Sequence, residues 1–124
     1  DPVCRIVEAV RREFPHVPVI GFPRGAGGMY PDFARASGVD VVGIDSGVGL
    51  DFAVRDIQSV KTVQGNLDPV VLLAGGEAME RAARDILEAL SKGPFVFNLG
   101  HGIIKETPPE HVARLCEIVR EWKP

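Results

Sequence analysis

The chain has 124 residues, of which 45% are hydrophobic and 25% charged, which is typical of one globular domain. Its formal net charge of -3 gives no reason to expect nucleic acid or a membrane surface as a partner. Its apolar runs fall short of the roughly 18 residues that a membrane-spanning helix needs, and it carries no pattern of a secretory signal.

Two local patterns alternate along the chain. Apolar residues at helical spacing predict helices, and short β-branched runs closed by glycine or proline predict strands. In chain order, the predicted elements are a helix at 2–14, a strand at 17–22, a helix at 29–37, a strand at 40–45, a short helix at 51–58, a strand at 61–66, a long helix from about 69 to 90, a strand at 94–99 and a last helix with an apolar stripe from 112 to 122. This order predicts a single α/β domain over residues 1–124 with a parallel sheet.

Three helix starts carry capping signals. Asp51 and Asp68 each precede a predicted helix, and Asp68 is followed by a proline suited to the first helical position. Thr107 and Glu110 have the spacing of a capping box.

The cysteines and two of the histidines are expected to be structural. Cys4 and Cys116 lie far apart within helical patterns, which favours buried, unpaired thiols over a disulfide or metal ligands. His16 precedes a strand and His111 lies in the first turn of the last helix, so both are expected to face solvent.

Two architectures fit the order of elements. One is an open doubly wound sheet, and the other is half of a (β/α)8 barrel, the TIM barrel, whose usual length is about 250 residues. Both architectures bind ligands at the carboxyl ends of parallel strands.

The segments that follow the strands hold the candidate binding groups. These are a cation at Arg24, carboxylates at Asp45 and Asp68, an imidazole at His101, and amides at Gln64, Asn66 and Asn98. An imidazole and a guanidinium beside glycine-rich backbone suit an anion such as a carboxylate or phosphate. Structural alternatives stay open: Arg24 could be a solvated charge, Asp45 could bind loop amides, and Asp68 could cap a helix. The sequence contains no zinc-spaced Cys/His cluster, Walker loop, dinucleotide fingerprint or Gly-x-Ser-x-Gly elbow.

Several stretches of the sequence are familiar. VPVIGFPRGAG, VDVVGID, VQGNLDP and PFVFNLGHGI followed by ETPPEHV resemble, in order and spacing, the carboxyl-terminal part of the uroporphyrinogen decarboxylase family. The resemblance covers nearly the whole chain and implies the last four units of a TIM barrel. It also implies a carboxy-lyase of haem and porphyrin biosynthesis, which converts uroporphyrinogen III to coproporphyrinogen III by removing acetate carboxyls. Such an enzyme is expected to need no cofactor and to be a cytoplasmic homodimer.

The resemblance assigns the family's substrate-binding histidine to His101, which is expected to hydrogen-bond a substrate carboxylate. Arg24 and Asp45 are further candidates for substrate binding, and no residue is assigned to a metal. No catalytic residue is assigned: the family's arginine pair, central aspartate, and tyrosine and serine contacts have no counterparts here, so the isolated chain is expected to be inactive. It is also expected to self-associate, because half a barrel leaves strand edges and apolar faces open. Ser46-Gly47 replaces the Trp-Thr that is common in the family.

Two other functions stay open. A cobamide methyltransferase of the same superfamily binds zinc through histidine and cysteine, and the loops around Arg24 and His101 contain no cysteine. The other is a non-catalytic or phosphate-binding half-barrel module.

Overall fold

A four-stranded parallel sheet organises the computed structural model, which describes residues 2–123. The strands are β1 (Ile20–Gly21), β2 (Val41–Gly43), β3 (Thr62–Leu67) and β4 (Phe95–Leu99), and they lie side by side in chain order. Each strand pairs in parallel with the next, which confirms the predicted α/β sheet. β1 is shorter than predicted, because Pro18 and Pro23 flank it and have no N–H to donate to a neighbouring strand.

Helices connect the strands and cover one face of the sheet. They are α1 (Pro2–Glu13), α2 (Tyr30–Ala36), α3 (Leu50–Phe52), α4 (Pro69–Ala74), α5 (Gly76–Leu90) and α6 (Pro109–Glu121), together with a 3-10 turn at Gly27–Met29 and a π-helical segment at Ala53–Gln58 that continues α3. The core lies between these helices and the sheet, where the apolar face of α5 is buried as predicted. Its buried residues are Met79, Ala83, Ile86, Leu87 and Leu90.

The long helix predicted before β4 is interrupted at Gly75, which separates α4 from α5. Gly75 has a φ of 68°, a left-handed value that favours glycine. A Cβ at this position would overlap the imidazole of His111, whose Nδ1 lies 3.0 Å from the carbonyl oxygen of Leu72. The expectation that His111 faces solvent is therefore wrong, since its half-buried ring joins α6 to α4.

Only one of the three predicted caps forms. The Asp68 carboxylate accepts a 2.8 Å hydrogen bond from the Val70 N–H, as a cap should. The other two predictions are wrong. The N-cap position of α3 is occupied by Gly49 and not by Asp51, and that of α6 by Pro108 and not by Thr107. The buried hydroxyl of Thr107 has no hydrogen-bond partner among residues 2–123.

The prediction that both thiols are buried is also wrong. Cys116 is exposed, because α6 turns Leu115 and Ile118 toward the core and Cys116 away from it. Cys4 is half-buried, and its thiol donates to the carbonyl oxygen of Ala36 at 2.9 Å. Both cysteines are free, as expected.

The face of the sheet opposite the helices is open and partly apolar. Alternate residues of a strand point to opposite faces, and the register places Ile20, Val41 and Thr62 level on this inner face. Ile20, Phe22 and Val96 remain 51%, 47% and 43% exposed there. The strands are thus buried on one face only, whereas the sequence predicted burial on both.

Candidate functional site

An open pocket of about 470 Å³ lies at the carboxyl ends of the strands and contains His101. Phe22 and Ile103 supply apolar walls, while Gln64 and Asn98 supply amides. The pocket lies where both predicted architectures bind ligands. Of the residues proposed from the sequence, it brings together His101 and two of the three amides.

His101 follows β4 on a turn between two glycines and is half-buried. Its Nδ1 lies 3.0 Å from the carbonyl oxygen of Gly102, which can only accept a hydrogen bond. A hydrogen bond at this contact requires a proton on Nδ1 and leaves Nε2 as the ring nitrogen that a ligand can engage. A neutral ring accepts a hydrogen bond at Nε2, whereas a protonated ring donates one there.

Asp45 lies in a different pocket, of about 370 Å³, lined largely by glycines. Its Oδ2 accepts hydrogen bonds from the Gly25 N–H and the Tyr30 hydroxyl, both at 2.8 Å, and its Oδ1 accepts one from the Gly47 N–H at 3.0 Å. The Gly25 N–H, with help from Tyr30 and Gly47, holds the pKa of this carboxyl below its usual range. Asp45 is therefore a carboxylate that joins the loops after β1 and β2 to α2.

Tyr30 is the buried partner of Asp45, and the sequence analysis did not single it out. Burial, more than any other influence, raises the pKa of Tyr30 to about 12. Its hydroxyl donates to Asp45 Oδ2 and accepts from the Asp45 N–H at 3.2 Å. The available signal was a single tyrosine at the start of a helix that follows a glycine-rich loop.

The Asn66 side chain is also hydrogen-bonded within the fold. Its Nδ2 donates to the carbonyl oxygens of Asp45 at 3.0 Å and Val48 at 2.9 Å. This buried amide ties β3 to the loop after β2, so Asn66 has a structural role. Asp68 likewise acts as the cap described above.

Arg24 is exposed and lines neither the His101 pocket nor the Asp45 pocket. Its charge makes a minor contribution to lowering the pKa of Asp45, after the hydrogen bonds from loop and tyrosine. The described structure therefore does not bring Arg24, Asp45 and His101 into one cluster.

The loops after β2 and β4 meet at Gly100 and Ser46. Gly100 donates its N–H to the Leu67 carbonyl oxygen at 2.8 Å, which extends the pairing of β3 and β4. A Cβ on Gly100 would touch the Ser46 N atom and lie 2.7 Å from Ser46 Cβ. The close approach fixes the backbone immediately before His101 against the Ser46-Gly47 loop.

Residues 2–123 contain neither a candidate metal cluster nor a candidate membrane-spanning helix. No three His, Cys, Asp or Glu side chains gather closely enough to hold a metal ion. No helix in this part of the chain combines the length and apolarity needed to span a membrane.

Comparison with known proteins gives one consistent result. The family model for uroporphyrinogen decarboxylase (URO-D) matches residues 1–122. Proteins named uroporphyrinogen decarboxylase from Rhodospirillum rubrum and Chelativorans sp. are 52% and 50% identical over 120 and 122 residues, which is 97% and 98% of this chain. One from Paracoccus denitrificans is 48% identical over 97% of the chain.

These matches bear on the fold as well as on the family. The chain spans about a third of the length of these relatives, 34% of the first and 35% of the other two. The family resolves the choice between an open sheet and half of a barrel, and it confirms the resemblance found in the sequence motifs. The chain therefore belongs to the uroporphyrinogen decarboxylase family, and its four parallel strands are part of that family's TIM barrel.

Proposed function

We propose that this chain is the carboxyl-terminal part of a carboxy-lyase that converts uroporphyrinogen III to coproporphyrinogen III, and that His101 binds a substrate carboxylate. The observation that carries the proposal is the position of His101 in a pocket at the carboxyl ends of the strands. The chain is about half identical to proteins named for this activity, which supports the reaction.

The chemistry of the His101 pocket suits such a substrate. A tetrapyrrole with carboxylate arms offers flat apolar rings and negative charges. Phe22 and Ile103 provide apolar surface for the rings, and His101 provides a nitrogen for a carboxylate. Because Nδ1 is held by the Gly102 carbonyl, a carboxylate bound at Nε2 requires the imidazolium form. The resulting charge-assisted hydrogen bond is stronger than a neutral one.

The role of this chain is to bind and orient the substrate. Loss of CO2 from a pyrrole acetate proceeds through protonation of the pyrrole ring, whose cation accepts the electrons that the departing CO2 leaves behind. The groups that donate this proton and stabilise the ring cation are proposed to lie outside these 124 residues. The three hydrogen bonds to its carboxylate favour a structural role for Asp45. Arg24 stays a prediction for substrate binding.

The proposal is tested by changing His101 to alanine in a full-length polypeptide that carries these residues. The His101→Ala variant is expected to raise KM for uroporphyrinogen III about tenfold, the usual loss for one hydrogen bond to a charged group. The matched control is His16→Ala, which removes an exposed imidazole from a turn remote from the pocket. Steady-state kinetics give KM and kcat of the parent and both variants, and a direct binding titration gives their affinities for the substrate.

The outcomes are distinct. His16→Ala should behave as the parent in both measurements. A His101→Ala variant with unchanged affinity and turnover would remove the assignment of His101 as a substrate-binding residue. A parent polypeptide without decarboxylase activity would remove the proposed reaction itself.

We also propose a cytoplasmic location, since free cysteines are usual in reducing compartments, and a homo-oligomer as the assembled form. For the isolated chain we expect self-association without decarboxylase activity. The exposed apolar residues of the inner face favour burial against a second copy. In sedimentation, the chain should be larger than a monomer.

Valine substitutions test which surface is responsible for self-association. Val96→Lys, on the inner face, should shift the isolated chain toward monomer. Val54→Lys, at a similarly exposed valine in the π-helical segment, should leave the association unchanged. A monodisperse monomer of the unchanged chain at high concentration would contradict the expectation, as would turnover by that chain.

A further inference from the structure

The chain has four amide side chains, and they divide into two structural classes. Gln58 and Asn66 are buried, and the N–H2 group of each donates to two backbone carbonyl oxygens. Gln64 and Asn98 both line the His101 pocket, and within residues 2–123 neither N–H2 group has a hydrogen-bond partner. The first pair stabilises the fold, whereas the N–H2 groups of the second pair are free to bind a ligand in the pocket.

The sheet register fixes the relative positions of the second pair. Gln64 on β3 is level with Val96 on β4, and Asn98 is level with Asn66. Paired residues of adjacent strands point to the same face, and so do residues two apart in one strand. Gln64, Val96 and Asn98 therefore share the inner face, and both free amides lie near the carboxyl end of the sheet. Regular strands hold them more rigidly than loops would, as a binding site requires.

Asn98 offers a ligand the two hydrogen-bond donors of its N–H2 group. Its Oδ1 accepts a 2.8 Å hydrogen bond from the Leu99 N–H, which turns the N–H2 group away from its own backbone. Asn98 is exposed, and its Nδ2 protons have no partner within residues 2–123, whereas Oδ1 already accepts one hydrogen bond. A ligand that satisfies them must present an acceptor such as a carboxylate oxygen.

We infer that Gln64 and Asn98 are substrate-binding residues whose N–H2 groups donate hydrogen bonds to a carboxylate arm of the tetrapyrrole. The inference rests on the proposed function, because the ligand it names is the substrate proposed above. Neutral amides complement His101: they bind an anion without adding fixed positive charge, and their donors do not depend on pH. Together the two amides and the protonated His101 ring place three hydrogen-bond donor groups beside the apolar surface of Phe22.

Carboxylate substitutions of nearly the same shape test the inference in the full-length polypeptide. Asn98→Asp keeps the acceptor for the Leu99 N–H and replaces the free donors by a negatively charged oxygen. Gln64→Glu, on β3, likewise replaces a free N–H2 group by a negatively charged oxygen. Each is expected to raise KM for uroporphyrinogen III about tenfold or more, with a smaller change in kcat, through a lost donor and charge repulsion. Gln64→Met, which removes the donor without adding charge, should raise KM about threefold.

Gln58→Glu is the matched control, since it alters an amide that the fold uses away from the pocket. It should lower the midpoint of thermal unfolding and leave KM unchanged. Asn98→Asp and Gln64→Glu should leave that midpoint nearly unchanged, because both side chains lie at the pocket surface.

Binding of uroporphyrin, the oxidised tetrapyrrole with the same carboxylates, gives a readout that needs no turnover. Weaker binding by both acidic variants supports the inference. If the parent binds and turns over tetrapyrrole and both variants match it, the inference falls and the proposed function stands. If the parent neither binds uroporphyrin nor turns over uroporphyrinogen, the proposed function falls and the inference falls with it.

Discussion

Gly100→Ala is expected to destabilise the protein by about 3 kcal/mol, the upper part of the range for overpacking a filled site. The added methyl group would overlap the backbone of Ser46, with Ser46 Cα 2.8 Å and Ser46 Cβ 2.7 Å from the new carbon. Backbone atoms cannot turn away as the end of a flexible side chain can. The loops after β2 and β4 must therefore separate, or the pairing of Gly100 with Leu67 must break.

The matched control lies two residues further along. A Cβ on Gly102 would meet no atom within 4 Å, and Gly102 is exposed, so Gly102→Ala should change stability by less than about 0.5 kcal/mol. Denaturant unfolding of the full-length polypeptide, followed by fluorescence and by circular dichroism, gives both values. Equal stabilities of the two variants would contradict the close packing of Gly100 on Ser46.

The order of the elements could be predicted from sequence because it depends on local signals. Apolar spacing and proline or glycine breakers mark most helices and strands near their observed places, and Asp68 caps α4 by accepting a hydrogen bond from the N–H of Val70, two residues on. A run of strands joined by helices also determines that the strands are parallel. These features require no knowledge of which distant residues meet.

Two of the wrong predictions, at Gly75 and at Cys116, involve contact between residues far apart in the chain. A side chain at position 75 would overlap His111, 36 residues later, so the break between α4 and α5 falls on a glycine. Cys116 is exposed because the orientation of α6 is set by packing, which its local pattern describes only approximately.

Barrel closure could not be derived from the residues either. A sheet closes into a barrel through the tilt and register of all its strands, and the sheet formed by residues 2–123 has four. The inner face is consequently exposed in this chain, and the strands do not show the burial on both faces that their apolar sequences predicted. The resemblance of the motifs to a known family supplied what local physics could not.

In the candidate site, the sequence identified the polar side chains but not which of them are hydrogen-bonded within the fold and which are free to bind a ligand. Asp45 follows β2, whereas Gln64, Asn66 and Asn98 lie within β3 and β4, and all four have similar chemistry. Hydrogen bonds to Tyr30, Gly25 and the loop after β2 occupy Asp45 and Asn66, whereas Gln64 and Asn98 keep free donors. Such assignments depend on loop geometry that no spacing rule encodes.

Asp45→Asn is expected to destabilise the protein by about 2 kcal/mol near neutral pH, although its shape hardly changes. The carboxylate accepts hydrogen bonds from Gly25, Tyr30 and Gly47, and an amide has one oxygen and one donor group in its place. At least one of the donors must then face the N–H2 group without an acceptor. Asp51→Asn, at an exposed carboxylate of α3, is the control and should have little effect.

The pH dependence gives this prediction a second test, whose sign follows from the lowered pKa of Asp45. A carboxyl group whose pKa is lower in the folded than in the unfolded protein stabilises the fold above its unfolded pKa of about 3.9. That contribution is lost as the pH falls through the folded value. The stability difference between the parent and Asp45→Asn should therefore be largest near neutral pH and shrink below about pH 4.

A difference that stayed constant down to low pH would show that the lost stability comes from shape and not from the charge. A coupling measurement with Tyr30→Phe separates the partners of Asp45 further. Because the Tyr30 hydroxyl donates to the carboxylate from a fully buried position, the two substitutions should cost less together than the sum of their separate effects. Additive effects would mean that the backbone donors of Gly25 and Gly47, and not Tyr30, hold Asp45 in place.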